Sequence, residues 1–152
     1  MLTITLDMPT APKAQQGPAI SSPQVVADLC CDMQEMEREM MICIMVNQKN
    51  RIIDTRVIGI GSTNSCIVTP RDVYRLALLT GAQAILLVHN HPSGDPTPSG
   101  EDRALTKRIK EAGDLLGVKL LDHVIMARDG YYSISSDERY CHRAEVAQAA
   151  EA

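Results

Sequence analysis

Five consecutive apolar residues, Ala84 to Val88 (AILLV), lead without polar alternation into VHNHPSGDPTPSGED, which spans Val88 to Asp102. A strand with one face in water alternates apolar and polar residues. An unbroken apolar run of strand length therefore marks a strand covered on both faces, in the middle of a sheet. Everything else in the chain must supply neighbours and cover for it.

The flanking sequence offers both. Ser22-Pro23 fits a helix N-cap followed by a first-turn proline, and Val25, Val26, Leu29 and Met33 recur at helical spacing to about Glu37. Met40 to Val46 (MMICIMV) and Arg51 to Ile60 (RIIDTRVIGI), separated by the polar Gln48-Lys49-Asn50, predict a hairpin. A short strand is expected at Ser65 to Val68. Thr69-Pro70-Arg71-Asp72 then supplies a cap, a first-turn proline and an acid for a second helix running to Thr80, with Gly81 as its stop. Ala104, Leu105, Ile109, Ala112 and Leu116 mark one face of a third helix ending near Gly117. Lys119 to Met126 and Tyr131 to Ser135 read as strands joined by the turn Ala127-Arg128-Asp129-Gly130. The resulting order, α-β-β-β-α-β-α-β-β, predicts an α/β fold, a single-domain mixed β-sheet sandwiched by helices. Strand order cannot be read from it.

With 152 residues the chain is large enough for one well-buried core, so one domain is expected over residues 22–136. Residues 1–21 read as a flexible lead-in, opened by an alternating Met1 to Asp7 that predicts a short edge strand. Residues 137–152, rich in Ala and Glu, read as a loose helical tail. No apolar stretch approaches the roughly 18 residues of a membrane span, and no secretory leader is evident, so a cytoplasmic protein is expected. The five cysteines (Cys30, Cys31, Cys43, Cys66 and Cys141) lack C-x-x-C spacing and read mostly as reduced core residues rather than as a nucleophile. A net charge of -4, with no Trp and no Phe, argues against a nucleic-acid partner. Arg103, Lys107, Arg108 and Lys110 read as the solvated side of the third helix.

The chemistry concentrates in the stretch after the central strand. In an extended segment residues i and i+2 point the same way, so His89 and His91 present two imidazoles together while Asn90 faces elsewhere. Zinc takes nitrogen and carboxylate ligands at roughly 2.0 to 2.2 Å, and a catalytic site uses three protein ligands. Pro92, Pro96 and Pro98 stiffen a loop, turned by Gly94, that can fold back and set Asp102 opposite the histidines. Taken alone, Ser99 and Asp102 are better explained as a plain helix cap. Spacing leaves both readings open. Asp95 is expected to form a turn, His123 to be a packed or hydrogen-bonded strand residue, and His142 to face solvent.

His89-x-His91, seven residues, Ser99, two residues, Asp102 matches without a gap the H-x-H-x7-S-x2-D signature of the JAMM (MPN-plus) metalloenzymes. HNHPSGDPTPSGED resembles the RadC-type bacterial branch of that family, as do LLDHVIM at Leu120 to Met126 and TPRDVYRLAL at Thr69 to Leu78. The resemblance covers about Ser22 to Ser136. It implies cytidine-deaminase-like layering and a zinc-dependent metallohydrolase that cleaves a peptide, isopeptide or small amide bond. One Zn²⁺ per chain would be held by His89, His91 and Asp102, with Ser99 hydrogen-bonding the substrate or its oxyanion. The family's proton-shuttling glutamate enters an early strand after the first helix. Glu39, immediately before MMICIMV, aligns by context, with Glu35 and Glu37 as nearby alternatives. Implied substrates are a peptide, a ubiquitin-like tail or a small amide.

Two other readings follow from the same residues. Relatives of this fold that have lost their ligands act as binding or scaffold modules, which the intact ligand set opposes. A DNA-repair factor or nuclease is suggested by the family name and by the string HNH, yet nuclease sites of that name spread over a longer ββα unit. Full-length RadC-type proteins carry a helix-hairpin-helix segment, and Met1 to Ser21 offers none, so the chain is expected to be the catalytic module alone.

Overall fold

The computed structural model describes residues 17–61 and 67–141. Six strands form one mixed sheet: β1 (Met40–Val46), β2 (Ile52–Ile60), β3 (Ala84–Asn90), β4 (Lys119–Ala127), β5 (Gly130–Ser133) and β6 (Glu138–Cys141). Their order is β2-β1-β3-β4-β5-β6, with β3 and β4 parallel and every other pair antiparallel. β3 is central, and all of its residues are buried.

Two-residue periodicity sorts the core into two halves. Ile42, Ile44, Val46, Leu86, Val88, Val124 and Met126 face α1 (Pro23–Leu29), packing on Val26, Ala27, Cys30 and Met33. Met41, Cys43, Met45, Ile85 and Leu87 face the opposite side. They pack on Val73, Tyr74 and Ala77 of α2 (Pro70–Thr80) and on Leu105 and Ile109 of α3 (Gly100–Leu116). The expected α/β sandwich is present. Parallel pairing of β3 and β4 requires a crossover, and α3 provides it.

Helix ends follow their local chemistry. Thr69 and Asp72 form a reciprocal capping box at the start of α2, and Gly81 closes it in the left-handed region at φ 67°. Gly117 does the same for α3 at φ 75°. Ser22 occupies the N-cap position of α1 without a side-chain cap bond.

The first helix is shorter than its periodicity predicts. It stops at Leu29, where Cys30 leaves helical geometry, and a 3-10 turn over Cys31–Glu35 carries the chain onward. Met33 stays buried, so the apolar spacing served packing rather than one continuous helix. The strand expected at Ser65 to Val68 is not seen in its described part, since Ile67 and Val68 lie outside any strand. Residues 138–141 form β6 instead of a helical tail, pairing with β5 after a turn at Asp137 (φ 56°) and stacking Tyr140 on Tyr131. The edge strand expected at Met1 to Asp7, and the tail from residue 142 with His142, lie outside the described residues. Among the described residues no helix is long and apolar enough to cross a membrane.

The cysteine expectation holds for two residues: Cys30 and Cys43 are buried and reduced, and burial pushes their thiols up to about 11 and about 12. Cys31 and Cys141 are free but exposed, against that expectation, and Cys66 lies outside the described residues.

α2 and α3 meet where Tyr74 Oη donates to the Ile109 carbonyl at 2.7 Å. Gly113 lies against that hydroxyl, and a β-carbon there would overlap both Tyr74 Oη and the Val118 carbonyl. Gly113→Ala is expected to cost about 1–3 kcal/mol by overpacking. A lower urea midpoint at unchanged slope would register it; an unchanged midpoint would contradict the described contact.

Candidate metal centre

His89 belongs to the same face of β3 as Ile85 and Leu87, so it looks toward α3. His91 follows just beyond the strand, fixed by its N–H to the Met126 carbonyl at 2.8 Å and by Gly94 N–H to its own carbonyl at 3.1 Å. Gly94 makes this turn at φ 93°. The proline loop then returns the chain to α3. There Ser99 Oγ accepts from Asp102 N–H at 3.1 Å, and Asp102 Oδ2 accepts from Ser99 N–H at 2.7 Å. The cap and the site are one structure: the capping box orients the Asp102 carboxylate toward the histidines.

The three side chains converge. His89 Nε2 and His91 Nε2 are 3.0 Å apart, His89 Nε2 lies 3.2 Å from Asp102 Oδ1, and His91 Nε2 lies 3.3 Å from Asp102 Oδ2. Ligands about 2.05 Å from a tetrahedral ion stand about 3.3 Å from one another, so these separations suit such an ion. The donor chemistry agrees. His91 Nδ1 is 2.9 Å from the Asp95 carbonyl, which can only accept, so in the neutral imidazole the proton sits on Nδ1 and Nε2 is the atom free to ligate. Two imidazole nitrogens and a carboxylate gathered this closely call for a positive charge among them, a proton or a cation.

Glu39 completes the group. Its carboxylate lies with His89, His91 and Asp102 in a set whose ligand atoms are all within 4.8 Å of one another, a set that could hold a metal ion. At 3.9 Å from His89 Nε2 its Oε1 stands further out than the other three. Register explains its place: Met41 pairs with His89, so the residue entering β1 lies beside the end of β3. Glu39 is buried, whereas Glu35 and Glu37 are exposed.

Electrostatics separates the two carboxylates. Burial pushes the Glu39 carboxyl above its ordinary value, against the pull of His89 and His91. Burial also opposes ionisation of Asp102, but the His89 and His91 imidazoles and the Ser99 N–H outweigh it and hold that carboxyl well below the usual range. For His91 burial is likewise outweighed, chiefly by Asp102, and its imidazole is raised. The two carboxyls are thus shifted in opposite directions, Asp102 down and Glu39 up.

Asp95 is the expected turn former, its Oδ1 accepting from Thr97 N–H and Thr97 Oγ1. His123 is the expected hydrogen-bonded strand residue, fully buried with its Nε2 2.7 Å from His89 Nδ1. Asn90 was legible only as facing elsewhere, yet it positions Glu39. Its Oδ1 accepts from Met40 N–H at 2.8 Å, and its Nδ2 donates to the Arg38 carbonyl at 2.9 Å and the Met36 carbonyl at 3.3 Å. An amide that is buried in a strand end is the sequence signal that could have found it. A cleft of about 730 Å³ opens over the site, walled by Met41, Ile67, Val68, Leu105 and Arg108.

The model of the RadC-like JAB domain matches residues 20–140. A UPF0758 protein of Thermotoga maritima is 44% identical over 108 residues, which is 71% of this chain and 49% of that protein. One from Enterococcus faecalis is 44% identical over 121 residues (80% and 52%), and one from Caldanaerobacter subterraneus subsp. tengcongensis 50% over 109 residues (71% and 47%). The chain spans about half the length of these curated relatives. With most of its length matched and the His, His, Asp and Glu side chains gathered at one strand end, the chain belongs to the RadC-like JAB domain family.

Proposed function

We propose that the protein is a zinc-dependent hydrolase of a peptide, isopeptide or small amide bond. The observation that carries this reading is the convergence of His89 Nε2, His91 Nε2 and the Asp102 carboxylate within 3.0–3.3 Å, with Glu39 set just behind them. His89, His91 and Asp102 would hold one Zn²⁺. When bound, the ion polarises a carbonyl oxygen and acidifies water near neutral pH.

The remaining work falls to this chain's own groups. Glu39 Oε1 takes a proton from the attacking water and returns it to the leaving amine, a role favoured by a carboxyl pushed toward neutrality. Ser99 Oγ accepts within the cap, which leaves its O–H free to donate to the substrate oxygen as negative charge develops there. Met41, Val68 and Leu105 line the cleft and limit water around the reacting bond.

Metal removal tests this reading. Chelation should abolish hydrolysis across a panel of fluorogenic peptide and isopeptide amides, and added zinc should restore it. Cleavage that survives complete chelation would contradict the proposal.

A further inference from the structure

His89 is tied to a second, fully buried histidine, and that histidine to a threonine. His89 Nδ1 lies 2.7 Å from His123 Nε2, and His123 Nδ1 lies 2.7 Å from Thr106 Oγ1. Thr106 Oγ1 also lies 2.7 Å from the Asp102 carbonyl oxygen, one helical turn earlier. β4 runs parallel to β3, with Leu87 opposite His123, so the two histidines share the sheet face that looks at α3. Asp102 and Thr106 share one face of α3 by their four-residue spacing.

The direction of this chain of hydrogen bonds is settled by its last member. A carbonyl oxygen only accepts, so a 2.7 Å contact with the Asp102 carbonyl uses the single hydrogen of the Thr106 hydroxyl. The Thr106 oxygen must then accept from His123, which places the His123 proton on Nδ1. His123 Nε2 is left as an acceptor, and it takes the Nδ1 proton of His89. His89 Nε2 is thereby presented as a bare lone pair toward His91 and Asp102. The opposite polarity would put a proton on His89 Nε2, where an ion would have to bind.

We propose that Thr106 and His123 are positioning residues that set the tautomer of His89 and so pre-form the cation site before any ion arrives. Neither touches the reacting atoms. They act through His89, in the way that outer hydrogen-bond partners orient ligating imidazoles. The chain ends on the backbone carbonyl of the proposed third ligand, Asp102, so the same helical turn fixes both the carboxylate and the distant imidazole. This inference rests on the zinc reading for its consequence, but the tautomer itself is a property of the metal-free protein.

Two measurements test it. Two-bond ¹H–¹⁵N correlation spectra of the metal-free protein at pH 8 should show His123 as the neutral Nδ1-protonated tautomer, and a proton on His123 Nε2 would overturn the proposal. Zinc affinity, read by competition with a chromophoric chelator, should fall about 10- to 100-fold in Thr106→Val. Thr106→Ser, which keeps the hydroxyl, should stay close to wild type. Wild-type affinity in folded Thr106→Val would overturn the proposal. If Thr106→Val does not fold, the wild-type spectrum decides. A wild-type protein that binds no zinc refutes the proposed function, while the His123 spectrum still reads the tautomer independently.

Discussion

Replacing Glu39 by Gln is expected to lower kcat by about 10²- to 10⁴-fold while zinc stays bound with nearly unchanged affinity. The split follows from geometry. Glu39 Oε1 is 3.9 Å from His89 Nε2, outside the 3.0–3.3 Å spacing of the other three groups, a position suited to serving a neighbour of the proposed ion rather than the ion itself. Glutamine preserves size and one hydrogen-bonding oxygen but cannot take up a proton. Parallel measurement of turnover and zinc content checks it. Unchanged hydrolysis in Glu39→Gln would remove the proton-transfer role, and absence of any hydrolysis in zinc-loaded wild type would favour the binding-module reading.

The second large effect concerns Asp102, which has two roles at one position. It faces both histidines and also accepts the Ser99 N–H that closes the capping box of α3. Asp102→Ala should therefore lose zinc and, in the metal-free protein, about 1 kcal/mol of helix capping. Asp102→Asn should separate the two, because its amide oxygen can still accept from Ser99 while the anionic ligand is gone. Zinc content and denaturant midpoints of the two variants check this. Equal midpoints for Asp102→Ala and wild type, both metal-free, would contradict the capping role.

The parts of the molecule that were legible in sequence are those set by local chemistry. AILLV is buried at every position, Thr69 and Asp72 cap α2, and Gly81 and Gly117 stop their helices. The H-x-H spacing and the proline loop likewise anticipated a convergence that long-range packing then realised. What sequence could not give is pairing at a distance. β6 is a strand because β5 offers an edge at Gly130 to Ser133, a pairing that the Ala- and Glu-rich composition of residues 137–152 does not announce. The first helix breaks at Cys30 although its apolar spacing continues to Met33, since both halves reach the same sheet face.

The site shows the same division. Glu39 could be chosen over Glu35 and Glu37 only by analogy until the β1–β3 register placed it beside His89. Asn90 and His123 stand inside stretches that carry the family resemblance and Thr106 outside them, but nothing local ties any of the three to the site. Their roles arise because three separate elements bring them within hydrogen-bond reach: Asn90 to the segment carrying Glu39, and Thr106 and His123 to one another and to His89.

The central claim is that His89, His91 and Asp102 form a metal site, and elemental analysis tests it most directly. Purified, extensively dialysed protein loaded with zinc should retain one ion per chain, and His89→Ala, folded by circular dichroism, should retain none. Folded wild-type protein that releases its zinc on dialysis, or His89→Ala that keeps a full equivalent, would contradict the account.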